Sequence, residues 1–324
     1  MDSLFINKSD NIYLAGHNGL VGSAFQNQLK KDGYKNIFTI DKKNLDLRKE
    51  HEVKSYLSQN NFDLIIIAAA KVGGVLANYK NAVEFFNDNI QIQNNLINNA
   101  YLNNINKLIF LGSSCIYPKN INHPIKEEDL LTGELEKTNE AYALAKITGL
   151  KLCNYYNVKH NTSYRCLMPT NLYGENDNFD TKNGHVIPSL IKKFHTAENT
   201  NSDIEIWGSG NAKREFLYVN DLADALSFIL QLNDQIFFSG DKTKNTHINV
   251  GTGNDISIMD LVNTLKTFFA IKGKIFYNTS KLEGVSRKLL DISKISSMGW
   301  KHKTNLNDGL SKTINFFRNN IAKK

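Results

Sequence analysis

The chain has 324 residues, a formal net charge of +7 and three cysteines, and it is long enough for two lobes with their own cores. Its lysines are spread along the chain without a nucleic-acid-binding motif, so we expect no nucleic acid as a partner. The scattered cysteines predict neither a disulfide framework nor a metal site, and the lack of a leader pattern or a long apolar stretch predicts a cytoplasmic protein with no membrane partner.

Strand-like and helix-like segments alternate over the first half of the chain. Short apolar β-prone segments predict strands at 11–15, 36–40, 63–70 and 107–114. Helical periodicity predicts helices at 20–32, 48–59, 81–103 and 140–157. Because the strands are apolar on both faces and alternate with helices, we predict an α/β fold with a Rossmann-type doubly wound parallel sheet.

The alternation weakens after about residue 170. There we predict a loop in "PTNLYGENDNF", a helix in "HVIPSLIKKFHTA", a strand pair followed by a helix in "IEIWGSG" and "REFLYVNDLADAL", and a strand ending in a turn in "HINVGTG". We therefore expect a dinucleotide-binding domain at 1–170, to which a segment near 215–250 returns, and a smaller mixed α/β lobe at 171–324.

Three glycines, Gly16, Gly19 and Gly22, follow the first predicted strand and open the first predicted helix in "GHNGLVGSA". Free backbone amides and the helix dipole at such a place bind a pyrophosphate, and glycine allows its close approach. A glycine-rich turn without any ligand is the alternative. The motif alone therefore predicts a phosphate-binding turn and leaves the cofactor open.

The second predicted strand leads into "TIDKKNLDL". An acid here, Asp41, would suit a ribose hydroxyl, whereas Lys42 and Lys43 would suit a 2′-phosphate. These residues leave the choice between NADH and NADPH open.

Tyr142 and Lys146 are four residues apart, which places both on one face of a helix. A nearby ammonium would lower the pKa of the tyrosine, and the phenol could then give a proton to a carbonyl oxygen while hydride arrives from a nicotinamide. An isolated match would more often be a solvated pair, but here "GSSCIYP" precedes it, and the hydroxyl of Ser113 or Ser114 could bind the same carbonyl.

Cys115 follows these serines at the end of a predicted parallel strand, which points it into the crevice where such sheets bind ligands. A small buried hydrophobic residue is the alternative. His185 lies at a predicted helix start and could equally be a surface cap. Together, a cysteine and a histidine beside a 4-ketosugar could exchange protons at the carbons that flank the carbonyl.

The segments "AGHNGLVGSA", "LGSSCIYP", "AYALAKITGLKLC", "HVIPSLIKKFH" and "WGSGNAKREFL" resemble the extended short-chain dehydrogenase/reductase family. Within it they are most similar to the dual epimerase-reductases of GDP-4-keto-6-deoxymannose. The resemblance implies that Ser113, Tyr142 and Lys146 form a reduction triad. It also implies that Cys115 and His185 act as base and acid in epimerisation at C3 and C5.

The same resemblance implies NADPH as the cofactor, with NADH not excluded, and no metal. The implied cofactor-binding residues are Gly16, His17, Asn18, Gly19, Leu20, Val21, Gly22, Lys42, Lys43, Asp46, Leu47, Ala68, Ala69, Ala70, Leu111, Gly112, Ser114, Pro169, Thr170, Asn171 and Leu172. The resemblance also implies a homodimer built from the helices near 81–103 and 140–157.

The C-terminal lobe is implied to bind the GDP-linked sugar through Lys193, Trp207, Arg214, Glu283 and Lys288. Arg214 and the lysines can hold a diphosphate, and Trp207 could stack on a base, pack on a sugar or belong to the core of the lobe. Lysine at 193, asparagine at 18, lysine at 42 and glutamate at 283 depart from the family pattern of arginines and an aspartate.

Two other functions are compatible with these residues. The first is a C4 reductase alone, acting on an already epimerised GDP-4-keto-6-deoxy-hexose or GDP-4-keto-heptose for a surface polysaccharide. The second is a non-catalytic protein that uses the dinucleotide as a redox sensor. The sensor would gain nothing from a complete Ser-Tyr-Lys set.

Overall fold

The computed structural model describes residues 4–121, 124–242, 246–281 and 284–323. Its strands are β1 (Asn11–Ala15), β2 (Asn36–Phe38), β3 (Leu64–Ile67), β4 (Lys107–Leu111), β5 (Ser163–Pro169), β6 (Asn171–Tyr173), β7 (Ile204–Trp207), β8 (Lys213–Tyr218), β9 (His247–Val250), β10 (Asp255–Ser257), β11 (Ile275–Asn278) and β12 (Arg287–Lys288). Six of them form one sheet in the order β2-β1-β3-β4-β5-β9, and every pair in it is parallel. The predicted Rossmann-type sheet is confirmed.

Helices cover both faces of this sheet and build much of the second lobe. They are α1 (Leu20–Lys31), α2 (Glu50–Ser58), α3 (Val75–Lys80), α4 (Ala82–Leu102), α5 (Glu140–His160), α6 (Val186–Thr200), α7 (Val219–Gln231), α8 (Asp234–Phe237), α9 (Ile258–Lys266), α10 (Ser293–Ser297) and α11 (Leu306–Asn320). Within the described ranges no helix is both long and apolar enough to cross a membrane.

Both faces of β3 are buried, which explains why every residue of this strand is apolar. Its side chains alternate between the two faces of the sheet. Leu64 and Ile66 pack in a core that includes residues of α1 and α7, whereas Ile65 and Ile67 pack in a core that includes residues of α4 and α5. All four are 0% exposed, so a polar residue at any of these positions would be buried.

The second lobe has a third core, to which α6, α9, α11 and β7 contribute. The strand β5 was not predicted. Two expectations fail in this half of the chain: "PTNLYGENDNF" contains the strand β6, and β7 and β8 do not pair with each other. Instead β7 pairs with β11, while β8 pairs with β6, β10 and β12. Short strands with partners far along the chain carry too little local pattern to fix their pairing.

Candidate active site

A deep cleft of about 860 Å³ opens at the carboxyl ends of β1, β3, β4 and β5, and residues of α6, β7, β8 and β12 form its opposite wall. All five predicted catalytic residues line it, and so do the predicted cofactor-binding residues apart from Lys43. Lys193, Trp207, Arg214 and Lys288 line it as well. Glu283 lies outside the described residues. The cleft therefore joins the two predicted ligand sites.

The glycine-rich turn between β1 and α1 is shaped by two close backbone approaches. Gly16 has a φ of +92°, and a β-carbon there would lie 2.5 Å from the Ala69 nitrogen after β3. A β-carbon on Gly22 would overlap the Gly16 carbonyl. At Gly19, by contrast, the nearest atom to an added β-carbon would be 3.7 Å away. Because Gly19 directly precedes α1, the open space and the free first amides of the helix fit a pyrophosphate.

Asp41 lies beyond the end of β2 and is held by two side chains of the glycine-rich turn. Asn18 Nδ2 donates a hydrogen bond of 2.7 Å to Asp41 Oδ1, and His17 Nε2 lies 3.5 Å from the same oxygen. Lys42 lines the cleft, but the next residue, Lys43, is exposed outside the lining. Asp41 also lies outside the lining, so this end of the cleft presents the ammonium of Lys42 directly, with the Asp41 carboxylate held behind Asn18 and His17. The prediction for Lys43 is not supported by its position.

A charged network that the sequence did not indicate borders the cleft beside Leu47. Arg48 Nη2 lies 2.7 Å from Asp46 Oδ2, and Arg48 Nη1 lies 3.3 Å from Asp88 Oδ1. Lys71 Nζ lies 3.1 Å from Asp88 Oδ2. The hydrogen bonds from Arg48 lower the pKa of Asp46 to about 2. Both cations are thus already paired with carboxylates inside the network, which leaves Lys42 as the better candidate for a ligand phosphate.

Ser113 and Tyr142 are neighbours in the wall of the cleft. Burial raises the pKa of Tyr142 above its usual value, the neighbouring Cys115 adds to this, and the nearby hydroxyl of Ser113 opposes it. The shift is opposite to the expected lowering, because burial dominates the pKa of Tyr142. Lys146 Nζ lies 5.8 Å from the ring centre. A phenol that keeps its proton is the form that a general acid requires.

Lys146 is 3% exposed, and its Nζ donates a hydrogen bond of 2.8 Å to the Leu111 carbonyl at the end of β4. Burial lowers the pKa of Lys146 to about 7. The amine therefore exchanges its proton near neutral pH. It lies one helical turn from Tyr142, as the four-residue spacing predicted.

Cys115 lies on a turn of 3-10 helix at Ser114–Ile116, directly after β4. Its backbone amide donates a hydrogen bond of 3.2 Å to Ser113 Oγ. Asn139 Nδ2 lies 3.4 Å and Lys288 Nζ 3.5 Å from its Sγ, both in hydrogen-bonding geometry. The side chain is partly exposed and lines the cleft, whereas the other two cysteines are fully buried. Cys153 and Cys166 are therefore small buried hydrophobic residues, whereas Cys115 is not.

His185 directly precedes α6 and lines the cleft. Its side chain makes no capping hydrogen bond to the helix, so the surface-cap alternative does not hold. Instead the imidazole lies near the backbone of Gly73. Desolvation by the surrounding protein lowers the pKa of His185, and the nearby Gly73 backbone opposes this shift.

The loop that carries His185 is locked to the loop after β3 by contact between glycines. Gly74 N donates a hydrogen bond of 2.8 Å to the Asn183 carbonyl, and a β-carbon on Gly74 would lie 2.5 Å from the Gly184 carbonyl. The absence of side chains at Gly74 allows this approach. The imidazole is therefore positioned from two segments of the chain.

The far end of the cleft is built around Trp207. Its Nε1 donates a hydrogen bond of 3.1 Å to Glu205 Oε2, and Lys193 Nζ lies 5.2 Å from the ring centre. Trp207 is partly exposed to the cleft, so it is not part of the core of the lobe. Arg214 and Lys288 lie opposite each other on the parallel strands β8 and β12. This end combines an aromatic face with three cations.

Sequence reasoning missed Asn139, which lines the cleft, and Glu215, which supports the strands of its wall. Asn139 directly precedes α5, and this position next to the predicted Tyr-Lys helix was the available signal. Glu215 is 0% exposed, and its carboxylate accepts hydrogen bonds from the amides of Thr252, Gly253 and Leu290, which connects β8 to the chain just after β12. Its signal was an acid directly before the apolar residues Phe216 and Leu217 of the same strand. In the described part of the chain, no group of three or more His, Cys, Asp or Glu is arranged to hold a metal ion.

Comparison with known proteins shows which proteins this chain is similar to. A model of the NAD dependent epimerase/dehydratase family matches residues 12–251. A putative GDP-L-fucose synthase 2 from Arabidopsis thaliana is 45% identical over 99% of this chain and 96% of its own length. The GDP-L-fucose synthase of Escherichia coli K12 is 42% identical over 95% of this chain and 97% of its own length. A GDP-mannoheptose C4 reductase from Campylobacter jejuni, solved with NADP bound, superposes with a TM-score of 0.86 at 35% identity, covering 97% of this chain and 99% of that one.

Proposed function

Because this chain belongs to the NAD dependent epimerase/dehydratase family, we propose that it is an NADPH-dependent enzyme that epimerises C3 and C5 of a GDP-4-keto-sugar and reduces its C4 keto group, as in GDP-L-fucose synthesis. The observation that carries the proposal is that the neighbouring Ser113 and Tyr142 line one cleft together with Cys115 and His185. The two GDP-L-fucose synthases, similar over nearly the full chain, support it.

Tyr142 is the acid of the reduction. A bound nicotinamide would supply the hydride to C4. The Tyr142 phenol, protonated because burial raises its pKa, gives its proton to the carbonyl oxygen. Ser113 donates a hydrogen bond to the same oxygen and so polarises the carbonyl. Lys146 lies one helical turn from Tyr142 and has a pKa of about 7, so near neutral pH it holds a proton that can replace the one that Tyr142 loses.

Cys115 and His185 serve the epimerisation. Carbons next to a carbonyl are acidic, because the electron pair left by a departing proton is delocalised onto oxygen. Cys115 takes such a proton, and His185 returns one to the other face of the carbon. His185 and Cys115 come from different segments and both line the cleft, so each can reach a sugar bound there.

The cofactor fits at the glycine-rich end. The space at Gly19 and the first amides of α1 accommodate the pyrophosphate, and Lys42 is the cation for a 2′-phosphate. We therefore assign residues 1–170 chiefly to the cofactor, with a later segment near 215–250 returning to this sheet. The carboxylate of Asp41 beside Lys42 leaves room for NADH as a second cofactor.

The GDP-sugar fits at the other end. The ring of Trp207 can stack on the base, and Arg214, Lys193 and Lys288 can neutralise the diphosphate. Residues 171–324 are therefore assigned mainly to the nucleotide sugar. The assignment of Glu283 to this ligand stays a prediction.

A second candidate keeps the fold and omits one step. The Campylobacter protein is named as a C4 reductase of a GDP-mannoheptose, and this similarity favours a reductase of an already epimerised GDP-4-keto-heptose or GDP-4-keto-6-deoxy-hexose for a surface or capsular polysaccharide. The two functions differ in Cys115. In a pure reductase, Cys115→Ser would leave the rate on the epimerised sugar unchanged and would abolish no other reaction.

We further propose a homodimer formed through α4 and α5. Large apolar side chains on these helices are exposed, among them Val83 at 68%, Leu144 at 42% and Val158 at 53%. Burial of such a patch stabilises association. Light scattering should give the mass of a dimer, and Val158→Asp should shift it towards the monomer.

A cytoplasmic location is also proposed, since the three cysteines are unpaired, as in a reducing compartment.

The test of the proposed function is incubation with GDP-4-keto-6-deoxymannose in deuterated water. NADPH oxidation reports the reduction, and deuterium at C3 and C5 of the product reports the epimerisation. We expect both with the natural sequence. Tyr142→Phe should lose NADPH oxidation by at least about a hundredfold and retain deuterium exchange. No nicotinamide oxidation with this sugar or a panel of GDP-4-keto-sugars would exclude the proposal.

A further inference from the structure

The thiol of Cys115 receives two nitrogen donors from different segments of the chain. Asn139 Nδ2 lies 3.4 Å from Sγ and Lys288 Nζ lies 3.5 Å from it. An ammonium has hydrogens to donate and no acceptor, and the amide nitrogen is likewise a donor. A sulfur surrounded by donors is the arrangement that suits a thiolate, since a charged acceptor binds donors far better than a thiol does.

Both donors are fixed by backbone structure. The Asn139 amide donates to the Glu136 carbonyl over 3.1 Å, and the Asn139 carbonyl accepts the hydrogen bond of Ala143 in the first turn of α5 over 2.9 Å. Asn139 is therefore held by the rigid beginning of the helix that carries Tyr142.

Lys288 is held by the second lobe. Its strand β12 is parallel to β8, with Lys288 opposite Arg214. Two residues later the Leu290 amide donates a hydrogen bond of 3.0 Å to the buried carboxylate of Glu215. The ammonium thus reaches the thiol from a strand whose backbone is bonded to its neighbour, and the contact joins residues 173 positions apart.

We propose that Lys288 and Asn139 hold Cys115 as a thiolate and so make it the base of the epimerisation, a role for Lys288 separate from binding the diphosphate. This inference rests on the proposed function for the reaction that the thiolate performs. At each inverted carbon the thiolate takes the C–H proton and becomes a thiol, while the electron pair remains on the sugar as an enolate. The enolate carbon then regains a proton on the opposite face from the protonated form of His185, whose lowered pKa makes it a stronger acid. Before the second carbon reacts, the Cys115 thiol releases its proton to water and His185 takes up a proton from water.

The charges around the thiol are consistent with this assignment. From α5, Tyr142 faces Cys115 closely enough for a charge on sulfur to raise the pKa of the phenol. From β12, Lys288 faces it with a positive charge. A thiolate therefore keeps Tyr142 protonated while Lys288 compensates the negative charge. Substitution of Lys288 removes a partner of the base and not the base itself.

The experiment is alkylation of the ligand-free protein with iodoacetamide as a function of pH. Cys153 and Cys166 are 0% exposed, so the reaction reports on Cys115. In Lys288→Met the pH midpoint of alkylation should rise by about one unit or more, and the rate at pH 7 should fall about tenfold. Lys288→Arg should restore much of the rate because it restores the charge.

A lysine of the same lobe provides the matched control. Lys281 Nζ lies 5.8 Å from the ring of Trp207 rather than at the thiol, so Lys281→Met should alkylate like the natural sequence. Asn139→Asp places a carboxylate beside the sulfur and should slow alkylation independently of Lys288. Circular dichroism confirms that each variant is folded. If Lys288→Met or Asn139→Asp is folded and alkylates at the unchanged rate and midpoint, the inference is wrong.

A second measurement links the thiolate to the reaction. Lys288→Met should lose deuterium exchange at C3 and C5 about tenfold more than it loses reduction of an already epimerised GDP-4-keto-sugar, whereas loss of diphosphate binding alone would lower both equally. Equal losses would overturn the separate role of Lys288. The alkylation needs no sugar, so failure of the proposed function leaves the assignment of the thiolate still tested.

Discussion

Asn18 lines the cleft and donates a hydrogen bond of 2.7 Å to Asp41, and thereby holds a carboxylate just behind the lining and next to Lys42. A 2′-phosphate bound here would meet this negative charge, whereas a ribose hydroxyl could donate to it. Asp41→Asn should therefore tighten NADPH binding by about five- to tenfold and leave NADH binding unchanged or weaker. Fluorescence titration with both nucleotides measures this. Equal effects on the two nucleotides would contradict the assignment.

The neighbouring lysines form a natural pair of test and control. Lys42 lines the cleft and Lys43 does not. Lys42→Met should weaken NADPH binding by about tenfold with a smaller effect on NADH, because the 2′-phosphate loses a cation. Lys43→Met should change neither affinity beyond about twofold. The reverse ranking of the two variants would show that the sequence-based prediction for Lys43 was right.

Substitutions at two glycines of the first turn should have different effects, one on the stability of the fold and the other on nucleotide binding. A β-carbon at Gly22 would overlap the Gly16 carbonyl, so Gly22→Ala should lower the free energy of unfolding by about 2 kcal/mol or more. At Gly19 an added β-carbon would meet its nearest atom at 3.7 Å, so Gly19→Ala should remain as stable as the natural sequence. It should nevertheless weaken nucleotide binding about tenfold, because the added methyl group occupies the space for the pyrophosphate. Urea denaturation and nucleotide titration measure the two effects, and unchanged nucleotide affinity in Gly19→Ala would count against the phosphate site.

Burial of Lys146 predicts a dependence of stability on pH. The lysine has a pKa of about 7 in the folded protein and about 10.4 when unfolded, so between these values the unfolded state binds more protons. This group therefore raises the free energy of unfolding as pH increases above 7, by up to about 1.4 kcal/mol per pH unit. Lys146→Met lacks the effect. Denaturation of both ligand-free proteins from pH 6 to pH 9 should show the natural sequence gaining stability relative to the variant above pH 7, and a constant difference would contradict the burial of the amine.

Much of the first sheet was predictable, because β1, β3 and β4 are short apolar segments between turn residues. The strand β5 was not, because it contains Arg165 and ends in Pro169, which are both unusual in a buried strand. In the structure Arg165 is 0% exposed and donates hydrogen bonds to the carbonyls of Ile229 and Leu232 and to Asp234. These partners lie in and after α7, so no local pattern reveals them.

The site was predictable in its residue types and less so in its contacts. The spacing of Tyr142 and Lys146 gave their shared face, but the burial that sets both pKa values depends on the whole fold. The contact of Lys288 with Cys115 joins two segments far apart in sequence, and the resemblance had assigned Lys288 to the sugar nucleotide alone. The difference between Lys42 and Lys43 depends on the direction of the chain after β2, which composition does not determine.

The turn after β4 carries Ser113 and Cys115 two residues apart, joined by the hydrogen bond from the Cys115 amide to Ser113 Oγ. Under the proposed function, one of these residues belongs to the hydride step and the other to the inversion of configuration. A sugar seated once above this turn can complete both reactions in a single residence, without release and recapture of a reactive ketone. Other enzymes would then have no access to the keto intermediate. A change in the structure of this one turn would impair both the reduction and the epimerisation.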